Sequence, residues 1–237
     1  MTSTKQVFEN AYIKARKLEE RVLSDDEVRM LPSVSASSRN ADEWKTRAES
    51  SRRVLSYFRT SNQLTNILDL GCGNGWFSAQ LARLGDTRVH GVDVNEVELE
   101  QAQRIFTREN LSFQNAHILQ EKIGGLDFDA ITINAAVQYF PSFKELVARC
   151  QLHLRKGGEI HIWDSPFYED HGVRNAQERT SDYYSNLGVP EMAGHYFHRK
   201  LSELLPFQYD VLYRPSKIKR KLKLAYNPFP WIKITNH

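Results

Sequence analysis

The sequence predicts an α/β fold: a seven-stranded, mostly parallel, doubly wound sheet with an N-terminal helical cover. Three observations predict it. From residue 66 onward, short apolar runs of strand type alternate with helical patterns, the signature of a parallel sheet covered on both faces. A glycine-rich turn, "DLGCGNGW" at 69–76, joins the first of these runs to the first of these helices. Two further strand-like runs, at 208–215 and 229–235, follow the alternating part.

Residues 5–23 read as an amphipathic helix with Val7, Ala11, Ala15, Leu18 and Val22 near one face. Ser24 and Glu27 make a capping-box pattern for a short helix that Pro32 closes. The serine-rich stretch 33–40 reads as a loop. Asn40 and Glu43 repeat the capping pattern at the start of a helix to about residue 59, with Trp44, Ala48, Leu55 and Phe58 spaced for burial. This region, 1–62, is expected to pack over a main domain spanning 63–237.

In that domain, strands are expected at 66–70, 87–94, 111–116, 128–134 and 157–164. Helices are expected after the glycine turn, with Phe77, Leu81 and Leu84 on one side, then over 96–109 and 142–154. Residues 165–205 read as a helical insertion before the last two strands.

Composition narrows the function. Hydrophobic residues make up 41% and charged residues 26%, ordinary for a soluble globular chain. The net charge of +3 is too small to imply nucleic acid or a membrane surface by itself. Two cysteines cannot build a framework of bridges, so a reducing, cytoplasmic setting is expected. The first twenty residues lack the apolar core of a signal peptide, and no long apolar run is present to span a membrane.

A strand, a glycine-rich turn and a helix form a ligand site by construction: glycine lets a ligand approach the backbone, and the helix N-terminus offers unpaired N–H groups. The glycines here are Gly71, Gly73 and Gly75, and Trp76 stands where a dinucleotide fingerprint has its third glycine. No Gly-Lys-Ser or Gly-Lys-Thr follows, which excludes a P-loop. Asp69 would repel a pyrophosphate and favour a cationic ligand.

This D-x-G-x-G-x-G arrangement resembles the first motif of the class I S-adenosylmethionine-dependent methyltransferases. The resemblance runs over roughly 64–164. It includes Asp93 at the end of the second expected strand, 22 residues beyond Gly71, then "FDAITINAAVQYF" and "LHLRKGGEIHI". It implies a Rossmann-like methyltransferase fold and S-adenosylmethionine as cofactor, with S-adenosylhomocysteine as product. By the same resemblance, Asp69, Gly71, Cys72, Gly73, Gly75 and Asn134 border the cofactor. Asp93 and Val94 would meet the ribose, and Asn115 and Ala116 the adenine. Asn115 stands where the family often has an acidic residue, and its side-chain oxygen would accept from the adenine amino group. Arg47 is expected to reach inward and pair with the cofactor carboxylate.

Methyl transfer is an in-line displacement that needs alignment above all, and a base only when the nucleophile carries a proton. Tyr139, Asp164 and His195 are the candidate catalytic residues. The insertion, rich in tyrosine, is the candidate acceptor pocket, and a small-molecule acceptor is expected. His195 and His198 stand three apart, but no cysteine or HExxH pattern accompanies them, so no metal is expected. The basic stretch 214–223 reads as a solvated connection. Its alternative role is contact with an anionic acceptor, a phospholipid headgroup or nucleic acid, and the last is disfavoured without stacking aromatics or a known RNA module. A non-catalytic cofactor-binding partner is the remaining alternative, and the sequence leaves the oligomeric state open.

Overall fold

The computed structural model describes residues 4–61, 63–124, 127–216 and 227–236. Three helices come first: α1 (Thr4–Leu18), α2 (Asp25–Met30) and α3 (Ala41–Thr60). The alternating part follows as β1 (Asn66–Leu70), α4 (Trp76–Leu81), β2 (Arg88–Asp93), α5 (Glu96–Ile105), β3 (Leu111–Asn115), β4 (Phe128–Asn134), α6 (Phe143–His153) and β5 (Leu154–Trp163). After β5 come β6 (Phe167–Tyr168), α7 (Val173–Leu187), β7 (Arg199–Lys200), β8 (Tyr209–Tyr213) and β9 (Trp231–Thr235).

Seven strands form one sheet in the order β3-β2-β1-β4-β5-β9-β8. The first five are parallel, and β9 runs antiparallel between β5 and β8. The chain starts at β1 and reverses direction across the sheet between β1 and β4, which opens a crevice at the carboxyl ends of the strands. Alternation along the central strands feeds two cores. Leu68, Ile131 and Ile133 pack with Phe143 and Leu146 of α6 on one face. Ile67 and Ala130 pack with Val54 and Phe58 of α3 and Phe77 of α4 on the other. A third, smaller core joins Ala11 and Ala15 of α1 to Tyr184, Val189 and Met192.

Several details differ from the sequence reading. Helix α1 ends at Leu18, and its inward face is shifted by one position: Val7, Leu18 and Val22 are exposed, while Phe8 and Tyr12 turn inward with Ala11 and Ala15. The aromatic rings outcompete the aliphatic stripe because a ring facing Tyr139 buries more apolar area than a valine. The capping box at Ser24 and Glu27 is formed. The one at Asn40 is not, because Asn40 makes no side-chain cap bond and Glu43 is held by Arg21 and Arg47 instead. Helix α5 ends at Ile105, four residues short of expectation. The insertion contains a two-stranded parallel ladder, β6 with β7, that alternation cannot reveal in two-residue strands. The basic stretch expected at 214–223 lies outside the described residues from 217 on.

Candidate active site

The crevice holds a cavity of about 930 Å³, large enough for a cofactor and an acceptor together. Its floor is the glycine turn. Gly71 has φ +73°, and a Cβ there would stand 2.5 Å from the Ala136 Cβ. The backbone must therefore pass close to the turn after β4, which glycine alone permits. Gly71 N–H and Cys72 N–H both donate to Val92 O, at 2.7 and 3.2 Å, locking the turn to β2. Gly75 serves differently from expectation. It caps α4 in the left-handed region, and a Cβ there would meet Phe113 at 2.7 Å. It is absent from the cavity wall, so it is a packing glycine.

Asp93 stands at the end of β2 beside this turn. Its Oδ2 accepts from Gly73 N–H at 2.8 Å and its Oδ1 from Asn95 N–H at 2.9 Å. The backbone thus fixes the carboxylate while each oxygen keeps a second acceptor site toward the cavity. Val94 and Ala116 line the cavity next to it, together with His117 and Ile118. Asn115 does not. Its side chain is exposed, and its amide donates to Val94 O at 3.0 Å. Strand alternation turns residue 115 away and brings 116–118 to the wall.

Asp69 has a role the motif did not reveal. It is almost fully buried, and Ser78 Oγ donates to Oδ2 at 2.5 Å while Thr132 Oγ1 donates to Oδ1 at 2.8 Å. It lines the cavity as expected, and its carboxylate also ties α4 and β4 to the turn. Burial raises its pKa to about 6.

Strand β4 brings Asn134 to the cavity, where its buried Oδ1 has no partner. Gln138 pins the next turn: its amide donates to Ala135 O at 2.6 Å and accepts from Ser165 Oγ at 3.2 Å. At the end of β5, Asp164 sits at φ +52° and is buried. Ser50 Oγ of α3 donates to its Oδ2 at 2.7 Å and Asn227 Nδ2 to its Oδ1 at 3.2 Å. Burial raises its pKa, against the pull of the nearby Arg47 cation.

The helical part forms the roof. Arg47 lines the cavity, but its Nε and Nη2 bond Glu43 at 3.0 Å and its guanidinium stacks 5.3 Å from the Trp44 ring. Tyr139 lies in an aromatic group with Phe8, Tyr12 and Tyr196, its ring 5.6 Å from that of Tyr12. Burial raises the Tyr139 pKa, so its hydroxyl stays protonated at neutral pH. His195 is not part of the cavity wall. It packs against Phe8, ring centroids 5.4 Å apart. His198 bonds Thr180 at 2.9 Å, and burial lowers its pKa. No group of three His, Cys, Asp or Glu side chains able to hold a metal occurs among the described residues.

Arg16 and Glu98 also reach the cavity and were not singled out from the sequence. A signal existed for Arg16: it lies four residues after Tyr12, hence on the same helical face. Ser50 and Asn227 carry no local signal, because only tertiary structure brings them to Asp164.

Residues 67–158 match the family model for a methyltransferase domain. Trans-aconitate 2-methyltransferase of Deinococcus radiodurans is 36% identical over 126 residues, covering 52% of this chain and 46% of that protein. Ubiquinone biosynthesis O-methyltransferase of Nitrosococcus oceani is 32% identical over 111 residues, 45% of this chain and 47% of that protein. The chain therefore spans about half the length of the curated relatives it matches. Among solved structures, magnesium protoporphyrin IX methyltransferase from Synechocystis PCC 6803, with bound SAH, superposes with TM-score 0.61 at 13% identity, covering 90% of this chain and 94% of that one. The YcgJ protein from Bacillus subtilis gives 0.59 at 16% identity, covering 80% and 99%. Residues 67–158 thus match a methyltransferase domain, and the seven-stranded sheet around them has the fold of the solved methyltransferase structures.

Proposed function

We propose that this protein transfers a methyl group from S-adenosylmethionine to a small-molecule acceptor. The observation that carries the reading is Asp93, held by two backbone N–H groups beside a glycine turn that lines the cavity at Gly71 and Gly73. The residues fit the cofactor. Asp93 offers acceptors for two ribose hydroxyls, and the partnerless Asn134 Oδ1 offers one for an ammonium group. Asp69 and Glu98 supply negative potential that suits a sulfonium. The adenine is assigned to the wall of Ala116, His117 and Ile118, and the cofactor carboxylate to Arg47, which must then share its guanidinium with Glu43. When bound, the cofactor supplies an electrophilic methyl and leaves as S-adenosylhomocysteine.

The chain's own part is positioning and exclusion of water. Asp164 accepts from Ser50 on one oxygen and from Asn227 on the other, which gives it a part in ordering the floor. Tyr139 is a neutral hydroxyl able to orient an acceptor by donating a hydrogen bond. His195 faces away from the cavity and carries no proton in this scheme. Helix α1 closes the crevice from above through the small core it shares with α7. The relatives named above include enzymes of trans-aconitate and ubiquinone chemistry, which supports a small-molecule acceptor. The two buried free cysteines suit a cytoplasmic setting. No helix among the described residues is long and apolar enough to cross a membrane.

The test is twofold. Calorimetry with S-adenosylhomocysteine is expected to give saturable binding that Asp93→Ala weakens. Incubation with methyl-labelled S-adenosylmethionine and fractionated small-molecule extracts is expected to yield a labelled acceptor. Binding without any labelled product would leave a cofactor-binding partner protein as the better reading, and no binding at all would refute both.

A further inference from the structure

The roof of the cavity contains a cation whose buried Nε–H has no hydrogen-bond acceptor among the described residues. Arg16, on the inward face of α1, lines the cavity with its guanidinium 5.4 Å from the Tyr12 ring centroid. Its Nε is buried and has no hydrogen-bond partner. Arg21 Nε also lacks a hydrogen bond, but the other roof arginines hold carboxylates through their remaining nitrogens. Arg21 bonds Glu43 through two nitrogens, at 3.0 and 2.6 Å, and Arg47 bonds the same carboxylate. Glu43 is therefore consumed. Glu98 and Asp93 act on Arg16 through charge, but neither hydrogen-bonds its Nε. A buried N–H without an acceptor is costly, and the planar fork of a guanidinium matches a carboxylate that would supply one.

The surroundings specify what carries that anion. Tyr12, Tyr139 and Tyr196 form a continuous edge-to-face series, with centroids 5.6 and 6.0 Å apart. Burial keeps all three hydroxyls protonated, so they are donors and not competing anions. Met192 adds a soft apolar surface beside them. Flat rings next to a cation and neutral hydroxyl donors complement a flat acid.

We propose that Arg16 is the specificity-determining residue of the acceptor subsite, and that the acceptor is an aromatic carboxylate seated on the tyrosine wall with its acid group on Arg16. This inference rests on the cofactor reading above. The cofactor also bears a carboxylate, and the experiment separates the two sources.

Wild type, Arg16→Gln and Arg16→Lys are first titrated with S-adenosylhomocysteine and with 5′-methylthioadenosine, which lacks the amino-acid part. The proteins saturated with S-adenosylhomocysteine are then titrated with benzoate, 4-hydroxybenzoate and cinnamate, each against its neutral amide. The expected result is that S-adenosylhomocysteine affinity is the same in all three proteins within experimental error. At least one acid should bind wild type about tenfold more tightly than its amide, as one charge-assisted contact warrants. Arg16→Gln should lose that preference and Arg16→Lys should regain part of it. No acid-over-amide preference in wild type overturns the proposal, and that arm decides even if Arg16→Gln fails to fold. A preference that survives in folded Arg16→Gln overturns it as well. If Arg16→Gln instead weakens S-adenosylhomocysteine and spares 5′-methylthioadenosine, Arg16 serves the cofactor carboxylate and the acceptor assignment is wrong. Wild type that binds neither adenosine compound refutes the cofactor reading itself.

Discussion

The floor and the roof of this cavity face each other but are built by opposite means. On the floor, hydrogen bonds fix most polar groups: Gly71 and Cys72 to Val92, Asp93 to Gly73 and Asn95, Asp69 to Ser78 and Thr132, with Asn134 Oδ1 left open. On the roof, Phe8, Tyr12, Tyr139 and Tyr196 meet only as rings, and the cation among them has a buried Nε–H without an acceptor among the described residues. Directional bonds hold a ligand of one fixed shape. Ring contacts are softer in geometry and can readjust around ligands of one general class. The floor thus suits a constant cofactor and the roof a variable acceptor.

The sharpest way to break this contrast is Gly71→Ala. The residue would occupy the left-handed region at a cost of about 1–2 kcal/mol, and its Cβ would collide with that of Ala136 at 2.5 Å. Overpacking adds about 1–3 kcal/mol. S-adenosylhomocysteine affinity measured by calorimetry is expected to fall about a hundredfold. Near-normal binding would show that the turn yields and is not a rigid cradle.

Asp93→Ala comes next. It removes a charged acceptor and frees two backbone N–H groups, for an expected loss of about 1.5–3 kcal/mol in cofactor binding with an unchanged circular-dichroism spectrum. Asp164→Asn tests the floor away from the cofactor. Ser50 and Asn227 both donate to this carboxylate, so an amide leaves one donor facing another. About 1–3 kcal/mol should be lost, lowering Tm by roughly 2–12 °C. Equal stability would mean that the carboxylate is not needed there.

Protons sharpen the comparison further. Burial raises the pKa values of Asp69 and Glu98 to about 6. The folded state therefore holds protons that the unfolded chain releases near pH 4. Their contribution to stability is complete below that pH and is lost as pH rises through about 6. Ligand charge reverses the advantage, since both carboxylates are ionised by pH 7. The affinity ratio of cationic S-adenosylmethionine to uncharged-sulfur S-adenosylhomocysteine should rise between pH 5 and 7, by up to about tenfold. A flat ratio would remove these two groups from sulfonium recognition. The smallest effect belongs to the roof: Tyr12→Leu should weaken acceptor binding by about 0.5–1.5 kcal/mol and leave S-adenosylhomocysteine unaffected. Equal loss in both would erase the division between floor and roof.

The same division explains what was legible in the sequence. The floor is local in the chain, since strand, glycine turn, helix and the acid at the next strand end follow within 69–93. Their spacing reports directly on a single supersecondary unit, so Asp93 and the Gly71–Gly73 turn were readable, and so was the seven-strand order of events. Asn115 failed because one position along a strand reverses the side that a side chain faces. His195 failed because in a short 3₁₀ segment nothing in the spacing says which side meets solvent, core or cavity. The roof draws on residues 8–16, 139 and 196, whose neighbourhood only the folded chain creates. Its aromatics were visible as a composition, and their arrangement was not.

Asp164 carries a consequence for how the protein is made. Its two side-chain partners lie 114 and 63 residues away along the chain, on either side of it. During synthesis Ser50 emerges long before Asp164, and Asn227 long after. A nascent chain that already owns the glycine turn and Asp93 still leaves Asp164 Oδ1 unmet. Contacts between such distant residues close large loops and form late. The glycine-turn side of the cavity thus draws on residues that emerge together, and the Asp164 side is completed only when Asn227 has emerged.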